Sequence, residues 1–151
     1  MRAAIDADIL STFARINRLD ILDALFDRII LPASVIAELG KAKISLANLK
    51  HEISKLSREE LVSLRGIDPR LGRGESESFA LARHRDLLLA SNDKMVISLC
   101  KKEKVGYLTL PRILRLAVLE GAITRGEARQ LLRQIEQEER TVIKGKDEVF
   151  R

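Results

Sequence analysis

The chain has 151 residues, 46% of them hydrophobic and 32% charged, with only 3% aromatic and no Trp. That is enough for one domain with a core of Leu, Ile, Val and Ala, and it excludes both a disordered chain and an aromatic-rich β-sandwich. A net charge of +5 is compatible with a polyanionic partner, and the single cysteine, Cys100, excludes an internal disulfide and a thiolate metal cluster.

The first apolar run, residues 2–5, reads as a strand ending at Asp6. A helical pattern follows, with Ile9, Leu10, Phe13 and Ile16 on one face and Asp8 as its N-cap. Asn17 is a plausible cap for a second helix carrying Leu19, Ile21, Leu22, Leu25 and Phe26. Residues 28–31 are β-branched and apolar and read as a second strand. Pro32 then suits the first turn of a helix running through Val35, Ile36 and Leu39 to Gly40.

Residues 41–71 are polar, and the spacing of Leu46, Leu49, Ile53 and Leu56 predicts helix. Ser57 and Glu60 have capping-box spacing, so a helical turn is expected from there. Residues 66–74 form a loop with Pro69 and three glycines. Beyond it, the pattern predicts helices over 75–85 and 93–104 and strands over 87–90 and 105–108. Helices over 110–120 and 125–139 follow, and 140–151 reads as an extended tail. Leu131, Leu132 and Ile135 on the last helix suit internal packing, or else a dimer interface.

No apolar run approaches the roughly 20 residues of a membrane helix. Asp6 and Asp8 stand where a signal peptide would be apolar. With a lone thiol as well, the expectation is a soluble, cytoplasmic protein.

Strands alternating with helices predict an α/β domain with a mainly parallel sheet, whose ligands bind at the carboxyl ends of the strands. Asp6 and Asp93 both fall at such ends. Glu38 lies on the helix after the second strand, and Glu75 opens the helix before the 87–90 strand. Clustered carboxylates repel one another, and a hard divalent cation relieves the repulsion. The absence of HExxH or CxxC spacing argues against zinc. Several residues also have ordinary readings. Asp8 serves as a cap or supports the site, Glu77 is a candidate support for it, and Ser91 orients Asp93 or a water, or caps the helix. Cys100 is a buried hydrophobe, and His51 and His84 are surface or packing residues. Arg70, Arg73 and Lys94 are candidates for phosphate contact.

These stretches resemble the PIN domain family. Ile5-Asp6-Ala7-Asp8-Ile9-Leu10 is similar to its first acidic motif, and Leu31-Pro32-Ala33-Ser34-Val35-Ile36-Ala37-Glu38-Leu39 to its second. Gly72-Arg73-Gly74-Glu75-Ser76-Glu77 resembles the third, and Leu88-Leu89-Ala90-Ser91-Asn92-Asp93 the fourth. The order holds along nearly the whole chain. The resemblance implies a three-layer α/β/α fold and a Mg²⁺- or Mn²⁺-dependent ribonuclease with Asp6, Glu38, Glu75 and Asp93 as metal ligands and catalytic carboxylates. It also implies the toxin of a VapC-type toxin–antitoxin pair, with an RNA substrate, an antitoxin partner and a homodimer. The sequence departs from that branch in two places. Ile97 stands where an Arg is usual, and Thr109-Leu110-Pro111-Arg112 replaces a Gly-Thr segment. The departures keep two alternatives open: a non-catalytic binding module of the same fold, and a structure-specific DNA nuclease.

Overall fold

Every strand pairing in the computed structural model, which describes residues 1–151, is parallel. Five strands, β1 (Arg2–Ile5), β2 (Arg28–Pro32), β3 (Glu52–Ser54), β4 (Leu88–Ala90) and β5 (Tyr107–Leu108), stand in the order β3-β2-β1-β4-β5. The chain winds outward from β1 to β3, then crosses back to place β4 on the other side of β1. The β1/β4 seam is therefore the topological switch point, and a crevice opens beyond its carboxyl end. The register there is Ile5 opposite Ala90, which brings Asp6 and Ser91 to neighbouring positions just past the ladder.

Eight helices connect and cover the strands. They are α1 (Ala7–Arg15), α2 (Leu19–Leu25), α3 (Ala33–Lys41), α4 (Arg58–Ser63), α5 (Arg73–Arg85), α6 (Lys94–Glu103), α7 (Leu110–Leu119) and α8 (Arg125–Glu139). Strand side chains alternate between the faces of the sheet. Ala3, Ile5, Ile29 and Leu31 join the larger core with Phe13, Leu22, Val35, Ile113 and Ile135. Ala4, Ile30 and Leu89 join a smaller one with Phe79, Leu81, Val96 and Cys100. Two cores on opposite faces of one sheet give the three-layer α/β/α arrangement that the sequence resemblance implies. Leu131, Leu132 and Ile135 are buried in the larger core.

Four local expectations are corrected. The 41–71 stretch is not continuous helix: after α3 it turns through a loop, pairs β3 with β2, and only then forms α4. The helical spacing misled because Leu46 and Leu49 are buried from a loop, while Ile53 stands 58% exposed on the sheet edge. Ser57 and Glu60 do form the expected capping box at the start of α4. Asp6, not Asp8, occupies the N-cap of α1, and Asp8 lies in its first turn. Asn17 does not cap α2: it takes a left-handed φ of 56° just past α1, a conformation Asn tolerates, and Arg18 holds the cap position. The chain end is not extended. It folds into a 3₁₀ turn, Lys146–Phe150, with Ile143 and Val149 buried. Glu136 anchors it by accepting the Ile143 N–H at 2.9 Å and a bond from Lys146. No helix is long and apolar enough to cross a membrane.

Candidate metal centre

Asp6 is delivered by β1. Its backbone N–H continues the ladder to the Ala90 carbonyl at 2.9 Å, which fixes the residue at the mouth of the β1/β4 crevice. The side chain is only 6% exposed. Although it sits at the N-cap of α1, it makes no capping bond, and its Oδ1 has no hydrogen-bond partner in the protein. A buried carboxylate oxygen without a partner is costly. Burial pushes the Asp6 carboxyl up to about 7; the Ser91 hydroxyl opposes the rise, and Glu75, Asp8 and Asp93 add to it by repulsion.

Asp93 comes from the other side of the seam as the N-cap of α6. Its Oδ1 accepts the Met95 N–H at 2.8 Å and the Val96 N–H at 3.1 Å. That grip orients the carboxylate and leaves Oδ2 free of the cap. Ser91 links the two acids. Its hydroxyl oxygen accepts the Asp93 N–H at 3.1 Å, and the same hydroxyl lies close enough to Asp6 to favour its charged form. Of the roles read for Ser91, the observed bond is the one to Asp93, made to its backbone N–H; the N-cap of α6 is Asp93 itself.

Glu75 and Glu38 arrive on α5 and α3. Glu75 sits at the third position of α5, where its Oε1 accepts the Gly72 N–H at 3.1 Å in a reach-back cap. Burial pushes its carboxyl up; the Gly72 N–H opposes this, and Asp93 and Asp8 reinforce it. Gly74 lets α5 approach α3. A Cβ there would stand 3.2 Å from Val35 Cγ2 and 3.6 Å from Glu38 Oε1. The absence of that atom brings Glu38 and Glu75 to the same small cavity of about 60 Å³, lined also by Asp6, Asp8 and Val35. Asp8 thus borders the site from the first turn of α1.

Five carboxylates therefore converge, and the one at the centre is buried, protonation-prone and short of a partner. No three of them are drawn in tightly enough to enclose an ion as they stand. Their donor set is all oxygen, which suits Mg²⁺ or Mn²⁺ and no softer metal. The orphaned Asp6 Oδ1 is the atom such an ion would satisfy, so the residues fit the group.

The surroundings sort themselves by charge. Glu77 is buried behind the site and meets Arg73 at 3.5 Å. Arg70 is clamped by Asp68 at 2.7 Å. Lys94 follows Asp93 and is exposed. Ile97 and Pro111 line a neighbouring groove with residues of the chain end, and Thr109 caps α7. His51 bonds the Leu49 carbonyl at 2.7 Å, far from the cluster in sequence and outside its cavity. Cys100 is fully buried, and burial raises its thiol to about 11, which leaves it unreactive. Sequence reasoning missed Glu60, which is buried beneath α4 against Arg85. Its capping-box spacing was visible, but nothing local signals a partner 25 residues away.

Comparison with known proteins bears on the fold and the family. No curated protein sequence matches the chain. A solved PilT N-terminus domain protein from the hyperthermophilic archaeon Sulfolobus solfataricus P2 has a similar fold. Its TM-score is 0.59 at 18% identity, covering 78% of this chain and 94% of that one. The family model DUF3368, described as a PIN domain, matches residues 2–145. With that match along nearly its whole length, the chain belongs to the PIN domain family, whose members are generally nucleases that use divalent metals.

Proposed function

We propose that this PIN domain is an endoribonuclease that hydrolyses RNA phosphodiester bonds with Mg²⁺ or Mn²⁺ held by Asp6, Glu38, Glu75 and Asp93. The observation that carries the reading is Asp6: a buried acid with an unpartnered oxygen, ringed by carboxylates, at the switch point of a parallel sheet. When bound, the ion would lower the pKa of a coordinated water and neutralise charge developing on the phosphate. The protein's part is positioning. Ser91 aims Asp6, the α6 cap aims Asp93, and the Gly72 N–H aims Glu75. Asp8 supplies further negative charge at the rim, and Glu77 braces Arg73.

Asp93→Asn tests the reading cleanly. Asn is as good an N-cap as Asp, so α6 should stay folded while a ligand charge is lost. Mn²⁺-dependent cleavage of a labelled RNA should fall at least about a hundredfold, the scale on which a displaced metal acts. Full cleavage by this variant, with an unchanged melting temperature, would remove Asp93 from the site.

The toxin role suggested by the sequence resemblance is a narrower proposal. An antitoxin would place a basic side chain among the five carboxylates, where a cation meets the least resistance. Co-purification with the product of a short adjacent reading frame tests it. A second reading, a binding module without hydrolysis, draws on the half-buried Ile97, which stands where the resemblance implies a cation, and on Thr109-Leu110-Pro111-Arg112, which replaces the implied Gly-Thr segment. Calorimetry separates the two: the nuclease binds Mn²⁺, and a module with a lapsed site does not.

A further inference from the structure

We propose that single-stranded RNA runs from the acidic site along the groove between the 66–71 loop and α6, its phosphates held by Lys94 and Lys102. This rests on the nuclease reading above and adds the path of the strand. The groove has a volume of about 640 Å³. Lys94, Ser98 and Lys102 line one wall, and Asp68, Arg70 and Leu71 the other. Both walls lead to the carboxylates. The loop runs directly into Gly72 and Glu75, and α6 begins directly after Asp93.

Charge decides between this groove and its neighbours. Arg70 and Asp68 neutralise each other in a pair closed at 2.7 Å. Lys94 and Lys102 are absent from the ion pairs of the structure, so the groove carries two uncommitted cations. The groove on the other side of Lys94, about 560 Å³, sets Lys94 and Lys144 against Glu139 and Glu148, which leaves no net attraction for a polyanion. A third groove, about 440 Å³ around Ile36 and Leu46, is mainly apolar and holds a single lysine, Lys50.

Spacing fits as well. Lys94, Ser98 and Lys102 recur every four residues on one face of α6. Eight residues at about 1.5 Å of rise put the two lysines about 12 Å apart, the span of three to four stacked nucleotides at about 3.4 Å each. Ser98 offers a hydroxyl between them. The groove lining contains no aromatic side chain, so bases have nothing to stack on. The contacts are to the backbone, and binding should be salt-sensitive and largely indifferent to sequence.

The test is fluorescence anisotropy with a labelled 12-nucleotide oligouridylate in EDTA, which separates binding from cleavage. The Lys94→Gln/Lys102→Gln pair should weaken binding about tenfold at 50 mM salt and flatten the log–log salt slope by about 1.4, or about 0.7 for each lost phosphate contact. A Lys50→Gln/Lys144→Gln pair makes the same change in net charge elsewhere and should leave the slope in place. Equal losses in both pairs, or no binding by the native protein, would overturn the path. Lysine-dependent binding without any Mn²⁺-dependent cleavage would sink the nuclease reading and leave the groove standing.

Discussion

Two buried carboxylates in this molecule have opposite environments. Glu60 is 2% exposed and Asp6 is 6% exposed, so burial alone does not distinguish them. Glu60 is saturated. Its Oε1 accepts the Ser57 N–H at 2.7 Å and Arg85 Nη2 at 2.9 Å, and its Oε2 accepts Arg85 Nε at 2.9 Å. Burial works against its charge, but the Arg85 and Ser57 bonds outweigh that and hold its carboxyl below the ordinary value. Asp6 has one hydroxyl in its favour, three acids against it and an oxygen with no partner. The first arrangement is complete within the chain; the second leaves an oxygen open, which the proposed cation would fill. A buried acid points to function when its hydrogen-bonding capacity is left open, not merely because it is buried.

Asp6→Asn should break that contrast most sharply. Cleavage in Mn²⁺ should fall by about a hundredfold or more, since the central ligand charge is gone. Stability should respond in the opposite sense. Folded Asp6 titrates near 7 against 3.8 unfolded, so between those values the folded state binds more protons. Native stability therefore declines as pH rises from about 4 to about 7 in metal-free protein, by on the order of 4 kcal/mol as an upper bound. The variant lacks this titration. Urea unfolding in EDTA should show the decline in the native chain and a flatter profile in Asp6→Asn; parallel profiles would remove Asp6 as the source.

Arg85→Met probes the saturated acid. It strands Glu60 as a buried charge and also removes bonds to Ser54 Oγ at 2.8 Å and the Lys55 carbonyl at 3.0 Å. The expected cost is about 3 kcal/mol, or a fall in Tm of roughly 10 °C. Mn²⁺ affinity should not change, because Arg85 lies at the far end of α5 from Glu75. Adding Glu60→Leu should recover much of the loss. If Mn²⁺ affinity fell with stability, the two carboxylates would not be independent.

The acids that were legible in sequence were those set by strand ends. Asp6 and Asp93 follow short apolar runs, and in a parallel sheet such runs end on one edge by topology. Glu38 and Glu75 were placed by family pattern, because their convergence depends on how closely α3 and α5 pack at Gly74, a tertiary fact. β3 was illegible for a related reason. Glu52-Ile53-Ser54 is a three-residue edge strand with one partner, so it lacks the apolar alternation of a covered strand. Its identity comes from β2, not from its own composition. Lys102 carries no signal of its own in the sequence, since a lysine in the last turn of a helix is ordinary for the macrodipole. Only the groove gives it a second role.

Ser91→Ala gives the smallest effect and the finest resolution of the comparison. The hydroxyl is the only neighbour that favours the charged form of Asp6, and it also fixes the Asp93 backbone N–H at 3.1 Å. Its loss should move the titration of Asp6 further upward, so the stability decline in EDTA should extend to higher pH. Mn²⁺ affinity at neutral pH should weaken about tenfold, the low end for a lost residue that orients a metal ligand. The affinity should recover as pH rises, because the variant still has the carboxylate and needs only to ionise it. A purely structural loss of Ser91 would lower affinity equally at every pH. Recovery at high pH would show that Ser91 works by tipping the protonation of Asp6, which Glu60 owes instead to a fixed guanidinium.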